Sequence, residues 1–178
     1  MITPREAIQT GQVWLRPFGH FMPGEQGYMG FASPEVRDRF LDQIVDGALV
    51  IIWTRQADGE PGWVGKFRGI LQLERTRGTA NDFSSAVGMA LSKKSGSDFS
   101  HAVKAKRAWV ADPGKEALMK NITPSIWPEK TQSIGHYSGQ MDPSELVNLE
   151  RRRIKEVDVF GQPSVGPSTF DEIRKLFT

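Results

Sequence analysis

Phe83 and Phe99 stand among serine, asparagine, aspartate and glycine, where few neighbours in sequence offer an apolar surface to pack against. Lys93, Lys94, Lys104, Lys106 and Arg107 share a window of fifteen residues that contains a single acid, Asp98. Aromatic rings can stack on any nucleobase, for ~1–3 kcal/mol per contact, and lysine and arginine meet phosphates. The combination predicts a nucleic-acid-binding surface on a long loop. A solvated charge run, or a small apolar cluster beneath that loop, explains the same residues without a ligand.

Trp14, Phe31, Trp53, Trp63, Phe67 and Trp109 fall on or beside predicted strands. Phe67 and Trp109 read as core. Trp53 and Trp63 flank the turn at 57–62, and either could cap a core or wall a pocket; Trp53 is taken as the pocket border. A second basic cluster, Arg151, Arg152, Arg153 and Lys155, sits in a predicted helix.

Catalytic signatures are absent. The sequence has no phosphate-binding G-x-x-x-x-G-K-[ST] loop, no H-E-x-x-H, no G-x-S-x-G and no dinucleotide fingerprint. His20, His101 and His136 are far apart; an acid–base pair of His101 and His136, acting on RNA or a nucleotide, is the enzymatic alternative. The acids Glu35, Asp38, Asp42, Glu145 and Glu150 sit at helix caps or between basic residues, not in a cluster suited to a divalent ion. No catalytic residue, metal site or cofactor is therefore assigned. An adaptor presenting exposed aromatics to a protein partner is a third reading.

The chain has 178 residues, a net charge of +2 and no cysteine. That length fits one domain with a real core. The absence of cysteine excludes disulfides, thiolate zinc sites and a thiol nucleophile, and it suits a cytoplasmic location. No apolar run approaches the ~20 residues of a membrane helix, and MITPREAIQTG lacks a signal pattern, so no membrane partner is expected.

Several elements must position these residues. Thr3-Pro4-Arg5-Glu6 predicts a capped helix to Gly11, and Gln12–Leu15 a strand stopped by Pro17. Tyr28–Phe31 reads as a short strand, and Ser33-Pro34-Glu35 opens an amphipathic helix. Ala48–Trp53 and Trp63–Glu74 form a hairpin, the second strand placing Trp63, Phe67, Leu71 and Leu73 on one face, with Gly65 and Gly69 permitting a bend. Residues 78–101 read as a long functional loop with one helical turn, His101–Ala111 as a strand, and 121–141 mostly as loop. Asp142-Pro143-Ser144-Glu145 opens a helix whose buried stripe is Leu146, Leu149, Ile154 and Val157, and Ser168 caps a last short helix. The predicted fold is α+β, a small curved β-barrel with peripheral helices.

This order of segments resembles the PUA-like superfamily, in particular the EVE and YTH domains. Val13-Trp14-Leu15-Arg16-Pro17 is similar to the first EVE strand, and Tyr28–Phe31 with Ala32-Ser33-Pro34-Glu35 to the YTH segment in which an aromatic residue precedes a serine and a helix. Gly47–Trp53 and Trp63–Glu74 resemble the paired central strands, Trp63-Val64-Gly65 opening the second. The resemblance implies one PUA-like domain over 1–178, with 1–11 and 158–178 as helical or loop extensions. It implies a non-catalytic module that recognises a modified base in DNA or RNA, and a nuclease or modification enzyme as a further partner. Phe31 would be a cage wall, Ser33 a polar contact, and Phe83 or Phe99 further walls. Trp53 completes the expected base pocket, and Lys93, Lys94, Lys104, Lys106 and Arg107 would hold phosphates. YTH domains use tryptophan where Phe31 stands, which favours a modified cytosine over methyladenine.

Overall fold

In the computed structural model, which describes residues 1–18, 20–54, 65–94, 100–112, 114, 117–126, 139–149 and 152–164, one mixed sheet organises the chain. Its strands are β1 (Val13–Phe18), β2 (Tyr28–Phe31), β3 (Leu49–Thr54), β4 (Lys66–Thr79), β5 (His101–Ala111), β6 (Gly139–Gln140) and β7 (Ile154–Val157). The helices are α1 (Pro4–Gln9), α2 (Pro34–Gln43) and α3 (Ala86–Lys94), with 3-10 turns at Ala80–Phe83, Met119–Asn121 and Pro143–Leu149. Strand order is β2-β5-β4-β3-β1-β6, with β1 and β3 parallel and the other pairs antiparallel. β7 pairs with Ala108–Ala111 of β5, on the flank that β2 occupies at His101–Lys104. The result is an α+β fold around a strongly curled half-barrel sheet.

Local chemistry sets the helix starts. In α1 the Thr3 hydroxyl accepts from the Glu6 N–H at 3.2 Å, and the Glu6 carboxylate accepts from the Thr3 N–H at 2.7 Å. Ser33 caps α2, accepting from the Val36 N–H at 3.4 Å, and Pro34 occupies the first turn, where no N–H is needed.

Both faces of the sheet are buried. Leu49, Ile51 and Trp53 of β3 join one core, with Val13, Leu15, Phe67, Ile70 and Trp109; α1 contributes Ala7 to it. Val50 and Ile52 join the other, with Met29, Phe31, Leu71, Leu73 and Val103, and α2 adds Leu41. Trp14 packs against this second core, as Phe18 does. β2 ends the strand order on one side and β1 is next to last on the other, yet their side chains meet on this second face, which is therefore the concave one.

Several sequence expectations are corrected. β1 does not stop at Pro17 but runs through it to Phe18. β6 pairs only with Trp14 and Leu15, so beyond them β1 is an edge among the described residues, where a missing N–H is tolerated. Phe67 does not share a face with Leu71 and Leu73: a bulge at Arg68, between the pairs Ile52↔Gly69 and Trp53↔Phe67, reverses the alternation. Gly69 is required there, because a Cβ would fall onto the Trp109 carbonyl oxygen and 2.6 Å from the Phe21 ring.

Within the expected long loop at 78–101, β4 continues to Thr79, a 3-10 turn follows at Ala80–Phe83 and α3 runs over Ala86–Lys94, while residues 95–99 lie outside the described residues. The Ser85 hydroxyl accepts from the Gly88 N–H at 3.1 Å, an N-cap whose partner position holds glycine and not the glutamate that would have advertised it. The predicted helix over 142–157 ends in its first half as the 3-10 turn Pro143–Leu149, and Ile154–Val157 becomes β7. Pairing with β5 overrides helical periodicity, and β-branched Ile154 and Val157 suit a strand. The expected turn at 57–62, Trp63, and the last helix from Ser168 lie outside the described residues. No helix among the described residues is long and apolar enough to cross a membrane.

Candidate functional site

Where the curled sheet brings β1 opposite β2, a seam remains that no strand pairing among the described residues closes. α2 lies along it. A cleft of about 90 Å³ opens there, lined by Trp14 and Arg16 of β1, Met29 of β2, Phe40 and Gln43 of α2, and Val50 of β3. Trp14 and Arg16 are two residues apart on a strand, so both face the concave side while Val13 and Leu15 enter the opposite core. Phe40 joins the walls: its ring lies 5.4 Å from Trp14 in an edge-on arrangement and 5.4 Å from Phe31.

Arg16 spans the seam. Its Nη2 donates to the Gly30 carbonyl at 2.8 Å, and its guanidinium carbon sits 4.8 Å from the Phe31 ring centroid. No carboxylate pairs with it among the described residues, and burial lowers its pKa from the ordinary guanidinium value. The Trp14 indole N–H is buried and has no hydrogen-bond partner among the described residues. The cleft thus combines aromatic walls and a cation with no carboxylate partner among the described residues, and one wall carries a buried indole N–H with no partner among those residues. Such a surface selects a flat group that presents acceptors.

The residues singled out from sequence do not converge on one place. Phe31 is buried at the seam, beneath Arg16 and against Phe40. Ser33 is engaged as the cap of α2. Trp53 is fully buried on the opposite face of the sheet, across the strand pair from Phe67. Phe83 packs with Tyr28, Ala80, Ala102 and Met89 in a third cluster, its ring lying over Gly78. Phe99 and the side chains of Lys93 and Lys94 lie outside the described residues.

Two of the basic residues expected at phosphates have acidic partners. Lys104 Nζ lies 3.2 Å from Glu74, whose carboxyl is held below its ordinary value chiefly by the Thr76 hydroxyl and further by Lys104. Arg107 grips Glu156 with two hydrogen bonds, at 2.7 and 3.0 Å. Lys106 is exposed. Of the alternative histidine pair, His101 lies in β5 opposite Phe31, and His136 is outside the described residues.

Trp14, Arg16, Phe40 and Gln43 were not assigned to a pocket from sequence. The alternation of Val13, Trp14, Leu15 and Arg16 was the available signal, since it puts a tryptophan and an arginine on one face. Only the curl of the sheet reveals that this face is opposed by β2. Compared with family models and with curated proteins, the chain matches none.

Proposed function

We propose that this chain is a non-catalytic, PUA-like module that binds DNA or RNA and takes a modified base, a cytosine in preference to methyladenine, into the seam between β1 and β2. One observation carries the reading: Arg16, with no acidic partner among the described residues, lines an aromatic cleft one wall of which holds a buried indole N–H with no acceptor among those residues. Cytosine presents two adjacent acceptors, O2 and N3, beside its amino donor, whereas the pairing edge of adenine presents one acceptor, N1, beside its amino group. A cleft of about 90 Å³ also favours a single six-membered ring over a fused purine. Trp14 and Phe40 supply apolar walls that offset the unstacking of a flipped base.

Phosphates flanking the base would meet Lys106 and exposed cations of β4 such as Lys66 and Arg75, which give affinity without sequence preference. A nuclease or modification enzyme acting at the bound site belongs to the same reading.

Oligonucleotides carrying 5-methylcytosine, N6-methyladenine or no modification, as DNA and as RNA, should be titrated in parallel at two salt concentrations. The expected result is preference for the modified cytosine that persists at the higher salt. Equal binding to all, weakened alike by salt, would reduce the protein to a generic electrostatic patch.

A further inference from the structure

A second cleft, of about 270 Å³, opens where β2 has ended and β7 has not yet begun along the same flank of β5. Its lining includes Lys106, Arg107, Val157, Val159, Gln162 and Ser164. One irregularity in the β4–β5 pairing shapes it. Gln72 pairs with Arg107 while Leu73 pairs with Ala105, so Lys106 is the extra residue of a bulge and its side chain is exposed. The backbone gap is closed at Ala105, whose N–H donates to the Gly27 carbonyl at 2.8 Å and whose carbonyl accepts from Gln162 Nε2 at 3.0 Å.

Arg107 forms the hard surface of this cleft. Trp109 lies under one face of its guanidinium, 4.8 Å from ring centroid to Cζ, and Glu156 holds its edge through Nε and Nη2. The plane is thereby fixed in position, and a quarter of the side chain stays exposed. A guanidinium backed by an indole and locked in plane by a carboxylate is a rigid platform for stacking a base. Val157 and Val159 supply apolar walls beside it, and Lys106 stands at the rim as a cation. Asp158, the next acid along the chain after Glu156, is engaged by the Ser164 N–H at 2.7 Å.

We propose that this cleft binds one nucleotide of the strand, its base stacked on Arg107 and its phosphate at Lys106. The site is separate from the seam and indifferent to base modification. The proposal rests on the nucleic-acid reading above for the origin of the nucleotide, but its chemistry is tested alone.

Thymidine 5′-monophosphate, thymidine and inorganic phosphate should be titrated separately into isotopically labelled full-length protein, following backbone amides by NMR. The expected result is saturable shifts at Lys106, Arg107 and Gln162 with the nucleotide, at least fivefold tighter than with either fragment. Lys106→Glu and, independently, Ser164→Trp, which fills the cleft while keeping its backbone N–H, should each weaken binding at least fivefold. Equal responses to nucleotide and phosphate would overturn the stacking platform, as would shifts confined to the seam around Trp14 and Gln43. If the cleft binds the nucleotide while modified and unmodified oligonucleotides bind alike, the cleft stands and the modified-base reading fails.

Discussion

Arg16 and Phe31 join two strands, β1 and β2, that three others separate in the sheet: the guanidinium carbon lies 4.8 Å above the Phe31 ring centroid, and Nη2 reaches the neighbouring Gly30 carbonyl at 2.8 Å. A half-buried cation with no carboxylate among the described residues is costly, and one hydrogen bond with one ring contact offsets only part of that cost. Arg16→Met should therefore leave the denaturation midpoint unchanged or raise stability by about 1 kcal/mol. Binding of the modified oligonucleotide should fall at least tenfold, since hydrogen bonds from charged groups contribute about 1.5–3 kcal/mol. Urea titration and binding titration on the same variant separate the two effects. Unfolding of the variant with unchanged affinity per folded molecule would make Arg16 a clamp and nothing more.

Trp14 gives a second separation of stability from binding. Its indole N–H is buried without a partner among the described residues, so Trp14→Phe removes an unsatisfied donor along with some packing area. These effects oppose each other, and the thermal midpoint should move little. Affinity for an acceptor-bearing base should drop by about tenfold, the equivalent of one hydrogen bond at ~1.4 kcal/mol. The indole N–H resonance in an NMR titration checks this directly, because it should shift on binding in the wild type.

Gly69 should not tolerate alanine. Its Cβ would overlap the Trp109 carbonyl oxygen of the paired strand, a backbone atom that cannot move aside alone. Overpacking of this kind costs typically 1–3 kcal/mol, and Gly69→Ala should lower the urea midpoint accordingly.

The Arg107–Glu156 pair should be strongly coupled. Glu156 is 3 % exposed and Arg107 is 25 % exposed, so the carboxylate is removed from water while the guanidinium is not wholly so. Glu156→Gln should destabilise by roughly 1.5–3 kcal/mol, the usual contribution of hydrogen bonds to charged groups. A double-mutant cycle with Arg107→Ala should return a coupling of at least about 1 kcal/mol. Additive effects would show that the bidentate geometry contributes nothing to stability.

Acid should destabilise the fold through several carboxylates. Glu6 is held below its ordinary value of 4.5 by the Thr3 N–H and then its hydroxyl, Asp82 by the Thr79 N–H, and Asp158 by the Ser164 N–H. Each is depressed in the folded state, so its contribution is complete above the ordinary carboxylate range and is lost as pH falls through the lowered folded value. The urea midpoint should be nearly flat between about pH 5 and 7 and fall progressively below about pH 4. A midpoint that rises on acidification would contradict this assignment.

Local signals in the sequence were sufficient wherever the controlling contacts are local. The Thr3–Glu6 capping box, the Ser33-Pro34 helix start and the apolar alternation of β5 each involve residues within a few positions, and each produced the expected element. The curvature of the sheet was legible too, from short strands and Gly69, but the parallel pairing of β1 with β3 was not. By contrast, Ile154–Val157 became a strand because β5 offered it hydrogen bonds, and α3 is packed against Glu25 and Gln26, sixty residues earlier, where Gly88 leaves room for the chain. Periodicity within a segment carries no information about such partners.

The site divides in the same way. Sequence alone determined which residues have the right chemistry: flat aromatics, cations and few acids beside them. Phe31 was singled out and does sit at the seam, while Trp53, placed with it from sequence, lies on the other face. Which of those residues meet was decided by the tertiary structure. A bulge at Arg68 reversed one strand's facing, and the curl of the sheet carried Arg16 of β1 over Phe31 of β2. The reason is physical: side-chain alternation assigns a residue to a face, but only the register and curvature of the whole sheet determine what stands opposite it.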